Sequence, residues 1–114
     1  MQRFPRRWDK ITCVNYLQRK IILNCIAYYE LNTNRLTDKQ YDELSRQLVE
    51  MHKDLDINDT QYGYVFYDFD GSTGFDLFHR LNKDDQQYLM NIAQIGLGDV
   101  KAKTNIVKKR GRLI

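Results

Sequence analysis

Two stretches of this chain carry apolar side chains at steps of three and four residues, with only a short aperiodic segment between them. Ile11, Val14, Leu17, Ile21, Cys25 and Tyr28 form the first stripe, and Tyr41, Leu44, Leu48, Met51 and Leu55 form the second. An α-helix completes a turn in about 3.6 residues, so each stripe lies on one helical face. The segment from Glu30 to Leu36 holds two Asn and a Thr, which suit a tight connection. Thr37 with Gln40 three residues later is a capping-box pattern that opens a new helix. The expected elements are a helix over residues 9 to about 31 and a second from about 38 to 54. Helices joined so closely must lie antiparallel with their stripes together. The turn then gathers Tyr28, Tyr29, Asp38, Tyr41 and Asp42 into one neighbourhood.

Beyond Tyr62 the character changes. The run YGYVFYDFD is aromatic and β-branched with partial alternation, and a Gly-Ser-Thr-Gly turn signal leads on to FDLFHRL; this pattern predicts a β-hairpin. Asn82 caps a third helix, with Asp84 and Asp85 in its first turn, Tyr88, Leu89, Ile92 and Ile95 on one face, and Gly96 and Gly98 at its end. The fold class expected is therefore α+β and mainly α: an antiparallel helical hairpin (9–55), then a small β-hairpin and a third helix (62–97). Residues 1–100 form one compact domain, and 101–114 form a basic C-terminal tail without core-like periodicity.

At 114 residues, with 42% hydrophobic side chains that include eight Tyr and five Phe, the composition is globular and large enough for a core without staples. The longest apolar stretch is broken by Asn24, and no apolar run follows the basic N-terminus, so no membrane partner and a cytoplasmic location are expected. Cys13 and Cys25 on one helix would stand about 18 Å apart, too far to pair, and are expected as buried free thiols. Together with His52 and His79 they show no metal-ligand spacing, so no metal is expected. Charge is segregated: residues 1–20 carry net +5, residues 21–100 net −8 and residues 101–114 net +6. An acidic body between basic ends points to separate partners rather than to a uniformly basic nucleic-acid binder.

The pattern Tyr-x(9)-Asp-x-x-Tyr-Asp-x-Leu, which runs from Tyr28 through Asp38, Tyr41 and Asp42 to Leu44, resembles the N-terminal helical segment of bacterial NAD-dependent DNA ligases. In that family this segment grips the nicotinamide mononucleotide half of the cofactor. The resemblance implies a nicotinamide mononucleotide-like ligand at Tyr28, Tyr29, Asp38, Tyr41 and Asp42, with no cofactor required. It also points to stand-alone ligase-related small proteins of phages or mobile elements, hence to a host cytoplasm. The competing reading of Tyr28 and Tyr41 is plain interhelical packing.

Ligase chemistry needs a Lys-x-Asp-Gly nucleophile, and the nearest match is Asp68-Phe69-Asp70-Gly71, with an acid where an amine must attack. The surrounding VFYDFDGST imitates the first motif of haloacid-dehalogenase-like phosphatases, against which stands a polar turn whose Asp side chains bond their own backbone. Gly71 set in the glycine position of an EF-hand loop places Phe66 and Leu77 at ligand positions, which excludes that motif. No catalytic residues are therefore expected. The leading expectation is a non-catalytic binding or regulatory protein, an accessory of a phage or mobile element. Its alternative is a protein-protein interaction inhibitor of a host nuclease or defence complex, with an acidic surface and basic ends. In either case the expected partner is a host protein, with nucleic acid as a candidate contact of the termini through Arg3, Arg6, Arg7, Lys108, Lys109, Arg110 and Arg112.

Overall fold

Asp9 opens the first helix by accepting a hydrogen bond from the Thr12 amide at 2.8 Å, which satisfies a donor that the helix start leaves orphaned. Its bonds to the Thr12 hydroxyl and amide hold the Asp9 carboxyl below the usual range. In the computed structural model, which describes residues 2–72 and 74–104, with side chains in the last helix as far as Gly96, helix α1 spans Lys10–Cys25. It continues without a break into a π-helical turn, Ile26–Glu30, where the Leu31 amide reaches back to the Ile26 carbonyl at 3.0 Å. Asn32 then adopts φ 53°, the left-handed conformation in which Asn is better tolerated than most residues, and the chain leaves the helix.

Helix α2 spans Asp38–His52 and begins on the expected capping box. The Thr37 amide donates to Gln40 Oε1 at 2.9 Å, and the Gln40 amide donates to Thr37 Oγ1 at 3.1 Å. The two helices are antiparallel: Lys10 at the start of α1 pairs with Asp54 past the end of α2 at 2.7 Å, while Cys25 at the far end of α1 lies beside Tyr41 at the start of α2. Val14, Leu17, Ile21, Ile22 and Ile26 face Leu44 and Leu48 in a common core. Full burial of such a side chain contributes about 1.5–3 kcal/mol. The stripe is narrower than its sequence pattern, because Ile11 and Tyr28 remain exposed at its two ends.

No strand is present among the described residues, so the expected β-hairpin is corrected. A 3-10 turn over Ile57–Asp59 leads to a single helical turn α3, Gly63–Phe66, and a second short turn α4, Leu77–Arg80, precedes the long helix α5, Lys83–Thr104. The physical reason is a period that is helical after all. Tyr62, Val65 and Phe66 sit at i, i+3 and i+4 and are all buried, while Tyr64 and Tyr67 point outward. An isolated two-stranded hairpin would also have been marginal on its own. Asn82 caps α5 as expected, accepting from the Asp85 amide at 2.8 Å. Gly96 and Gly98 do not end α5, a second correction: a glycine inside a helix costs about 1 kcal/mol, which weakens it without stopping it. At Gly96 an added side chain would overlap the Arg35 guanidinium, so the end of that flexible side chain would have to move. Helix α5 crosses residue 100, and Lys108, Lys109, Arg110 and Arg112 of the basic tail lie outside the described residues.

The basic N-terminal segment folds back on the hairpin. Gln2 exchanges two hydrogen bonds with Gln47, both 3.0 Å, and Phe4, Trp8 and Tyr16 form one aromatic cluster with centroids 5.8–5.9 Å apart. Arg3, Arg6 and Arg7 stay exposed on this segment.

A buried polar clamp fastens α1 to the chain beyond α2. Gln18 is fully buried on the apolar face, and its Oε1 accepts from the Tyr62 amide at 3.0 Å. Its amide nitrogen must then donate, to Thr60 Oγ1 at 2.9 Å and to His52 Nε2 at 3.3 Å. That assignment needs His52 unprotonated at Nε2. Burial also pushes the His52 pKa below its ordinary 6.5. Because the folded protein resists a proton that the unfolded chain accepts, stability is expected to fall as pH drops below about 6.5, until the folded pKa is passed. Urea melts at pH 7.5 and 5.5 should show this loss in the native chain and a smaller one in His52→Gln. Equal losses would remove His52 as the cause.

Candidate functional site

A cavity of about 150 Å³ opens at the hairpin turn. Asn24, Cys25, Tyr28 and Tyr29 line it from α1 and its π-helical turn, and Asn34, Leu36, Asp38 and Tyr41 line it from the connection and the start of α2. The Tyr28 and Tyr29 rings meet edge to face at 4.8 Å and 89°, although neighbouring residues on a regular α-helix point about 100° apart. The contact accompanies the π-helical widening, a feature often found at functional sites. Tyr28 is 52% exposed, so it is not the interhelical core residue that its place on the stripe allowed.

Four of the five residues singled out from the sequence, Tyr28, Tyr29, Asp38 and Tyr41, come together around this cavity. Asp42 does not line it and is exposed. It follows Asp38 by four residues, so it stands about 6 Å further along α2 from the turn. Asn24, Cys25, Asn34 and Leu36 complete the lining and were not singled out; Asn24 stood out in the sequence only as a break in an apolar run. The Cys25 thiol is pushed up to about 12 by burial, which keeps it protonated and unreactive. Cys13 is likewise buried and unpaired, as expected.

The second motif of the chain packs against residues that line the same site. Tyr41 donates its hydroxyl to the Ser72 carbonyl at 3.1 Å, and burial raises its pKa. Gly71 turns the loop at φ 91°, a conformation that glycine accepts freely. At Gly74 a methyl group would stand 2.8 Å from Cys25 Sγ and 3.0 Å from the Tyr41 hydroxyl, so only glycine lets the loop approach so closely. Phe75, 58% exposed, then brings its ring edge to Tyr29 at 6.4 Å. Nothing in the sequence linked the DFDGSTGF loop to the hairpin, because the contact is made only in the folded chain.

The two acids of that loop are occupied locally. Asp68 forms a two-pronged ion pair with Arg80, whose guanidinium also reaches Asp76 at 2.9 Å and the Val65 carbonyl at 3.1 Å. This guanidinium holds the Asp68 carboxyl below the usual carboxylate range. Asp70 Oδ1 accepts from the Ser72 amide at 3.0 Å and the Ser72 hydroxyl at 2.6 Å. Such a geometry is a polar turn bonded to its own backbone, and a helical turn stands where the phosphatase motif has a strand. Among the described residues no group of His, Cys, Asp and Glu is placed to hold a metal ion, and no helix is long and apolar enough to cross a membrane. Comparison of the chain with protein-family models, with curated proteins and with solved structures finds no match.

Proposed function

We propose that this chain is a non-catalytic binding module whose hairpin turn seats the ring of a nicotinamide mononucleotide-like ligand, in the manner of the ligase segment it resembles. One observation carries the reading: Tyr28, Tyr29, Tyr41 and Asp38 converge on a single cavity at the turn. A cavity of this size takes one benzene-sized ring. The nicotinamide ring of the mononucleotide carries a positive charge, which tyrosine faces attract electrostatically and a nearby Asp38 carboxylate complements. The Asn24 and Asn34 amides can each donate and accept, which matches a carboxamide. The Cys25 and Leu36 side chains supply an apolar floor.

Calorimetric titration with nicotinamide mononucleotide tests the proposal. Saturable binding is expected, with Tyr29→Ala and Asp38→Ala each weakening it up to about tenfold, since attraction of a cationic ring by an aromatic face or a nearby carboxylate is worth about 1 kcal/mol or somewhat more. Asp42→Ala should leave affinity unchanged. Absence of saturation at millimolar ligand in a folded sample would discard the proposal.

A further inference from the structure

A second cavity lies next to this one, about 390 Å³ between α1 and the hairpin connection, and three of its lining residues are Arg19, Lys20 and Arg35. No carboxylate among the described residues lies within ion-pair distance of any of the three. Lys20 instead donates to the neutral Gln2 side chain at 2.9 Å and stands 5.7 Å over the Tyr16 ring, and the Arg35 guanidinium lies against the bare backbone of Gly96. Glu43 lines a further cavity together with Lys20 and Leu36 but pairs with none of the three, so cations that share one cavity without a paired carboxylate form an arrangement that an anion would stabilise.

The two cavities are continuous in their lining. Asn24 and Leu36 belong to both. Tyr16, Lys20, Asn24 and Tyr28 follow at four-residue steps along one face of α1, so Lys20 stands about 12 Å along the axis from Tyr28, with Asn24 midway. Arg35 and Leu36 approach the same groove from the connection. A ligand whose ring fills the tyrosine cavity must leave its sugar and phosphate outside it, and Asn24 and Leu36 join that cavity to the one that the cations line.

We infer that the Arg19, Lys20 and Arg35 cavity is the phosphate subsite of a mononucleotide whose ring occupies the tyrosine cavity. This assignment rests on the ring reading and adds to it the residues that hold the phosphate. Arg35 supplies a planar fork suited to two phosphate oxygens, and Lys20 a point charge that exchanges its neutral Gln2 partner for the anion.

Three probes test it by titration, followed by calorimetry and by the emission of Trp8, whose ring stands 5.8 Å from Tyr16 on the cavity wall. They are nicotinamide mononucleotide, nicotinamide riboside, which lacks the phosphate, and ribose 5-phosphate, which lacks the ring. The mononucleotide should bind at least tenfold tighter than the riboside, with an affinity that falls as salt rises. Arg35→Gln and Lys20→Gln should each weaken mononucleotide and ribose 5-phosphate about tenfold and leave the riboside unchanged. Equal affinity for mononucleotide and riboside would overturn the phosphate subsite while leaving the ring reading intact. Binding of ribose 5-phosphate that responds to Arg35→Gln, with no binding of riboside, would keep the phosphate subsite and remove the ring reading. No binding of any probe would remove both.

Discussion

Phe66→Ala is expected to destabilise the chain by about 3–5 kcal/mol, a large share of the roughly 5–15 kcal/mol that holds a domain of this kind together. Phe66 is 1% exposed and packs edge to face on Phe69 at 5.1 Å and on His52 at 6.0 Å. Truncation removes the whole ring from the core and leaves a cavity that its neighbours cannot close. The comparison that gives the result its meaning is Tyr67→Ala. Tyr67 is 67% exposed, with the Arg80 guanidinium 5.1 Å from its ring, so its loss should cost no more than about 1 kcal/mol. A strand would place Tyr62, Tyr64 and Phe66 on one face and Val65 with Tyr67 on the other, whereas the helical turn buries Tyr62, Val65 and Phe66 together. Urea unfolding of Val65→Ala, Phe66→Ala and Tyr67→Ala reads the pattern directly, with Tyr64 set aside because its hydroxyl bonds Asp85 and the Asn82 amide. Large losses at positions 65 and 66 with a small one at 67 fit the helix. Losses that alternate along the segment would restore the hairpin.

Gln18→Leu, a change toward greater hydrophobicity at a fully buried position, is expected to cost about 2–4 kcal/mol. Leucine fills a similar volume but accepts nothing. The buried Tyr62 amide would lose its acceptor, and the Thr60 hydroxyl and His52 would lose the amide that joins them. An unsatisfied buried donor costs about 1–3 kcal/mol by itself, and loss of the clamp also weakens the hold of α1 on residues 60–62, where the Gln61 amide still donates to Asn15 Oδ1 at 2.7 Å. Denaturant unfolding at pH 7.5 measures it. Native stability in Gln18→Leu would mean that the clamp is incidental to the packing around it.

The parts of the fold legible in the sequence are those whose signals are local. The hairpin followed from two apolar periods, an Asn-rich connection and a capping box, all of which act within a few residues of one another. The gathering of Tyr28, Tyr29, Asp38 and Tyr41 then followed from geometry, since a short turn leaves few ways to place them. The segment from Tyr62 was ambiguous by its nature: three apolar residues at i, i+3 and i+4 in an aromatic run satisfy either period, and burial of all three in the common core decided for the helix. Gln18 was illegible for a different reason. A polar residue beside an apolar stripe reads as a stripe edge until its partners at Thr60 and Tyr62, more than forty residues away, are in place. The basic cavity is likewise tertiary, because Arg35 meets Arg19 and Lys20 only when the connection folds back along α1.

The most direct test of the ring reading is an NMR titration of the labelled chain with nicotinamide mononucleotide, read by intermolecular contacts between the nicotinamide ring protons and protein side chains. The account predicts contacts to the rings of Tyr28, Tyr29 and Tyr41, which line the cavity at the turn. Saturable binding with the ring protons against some other surface, and none of these tyrosines, would contradict it.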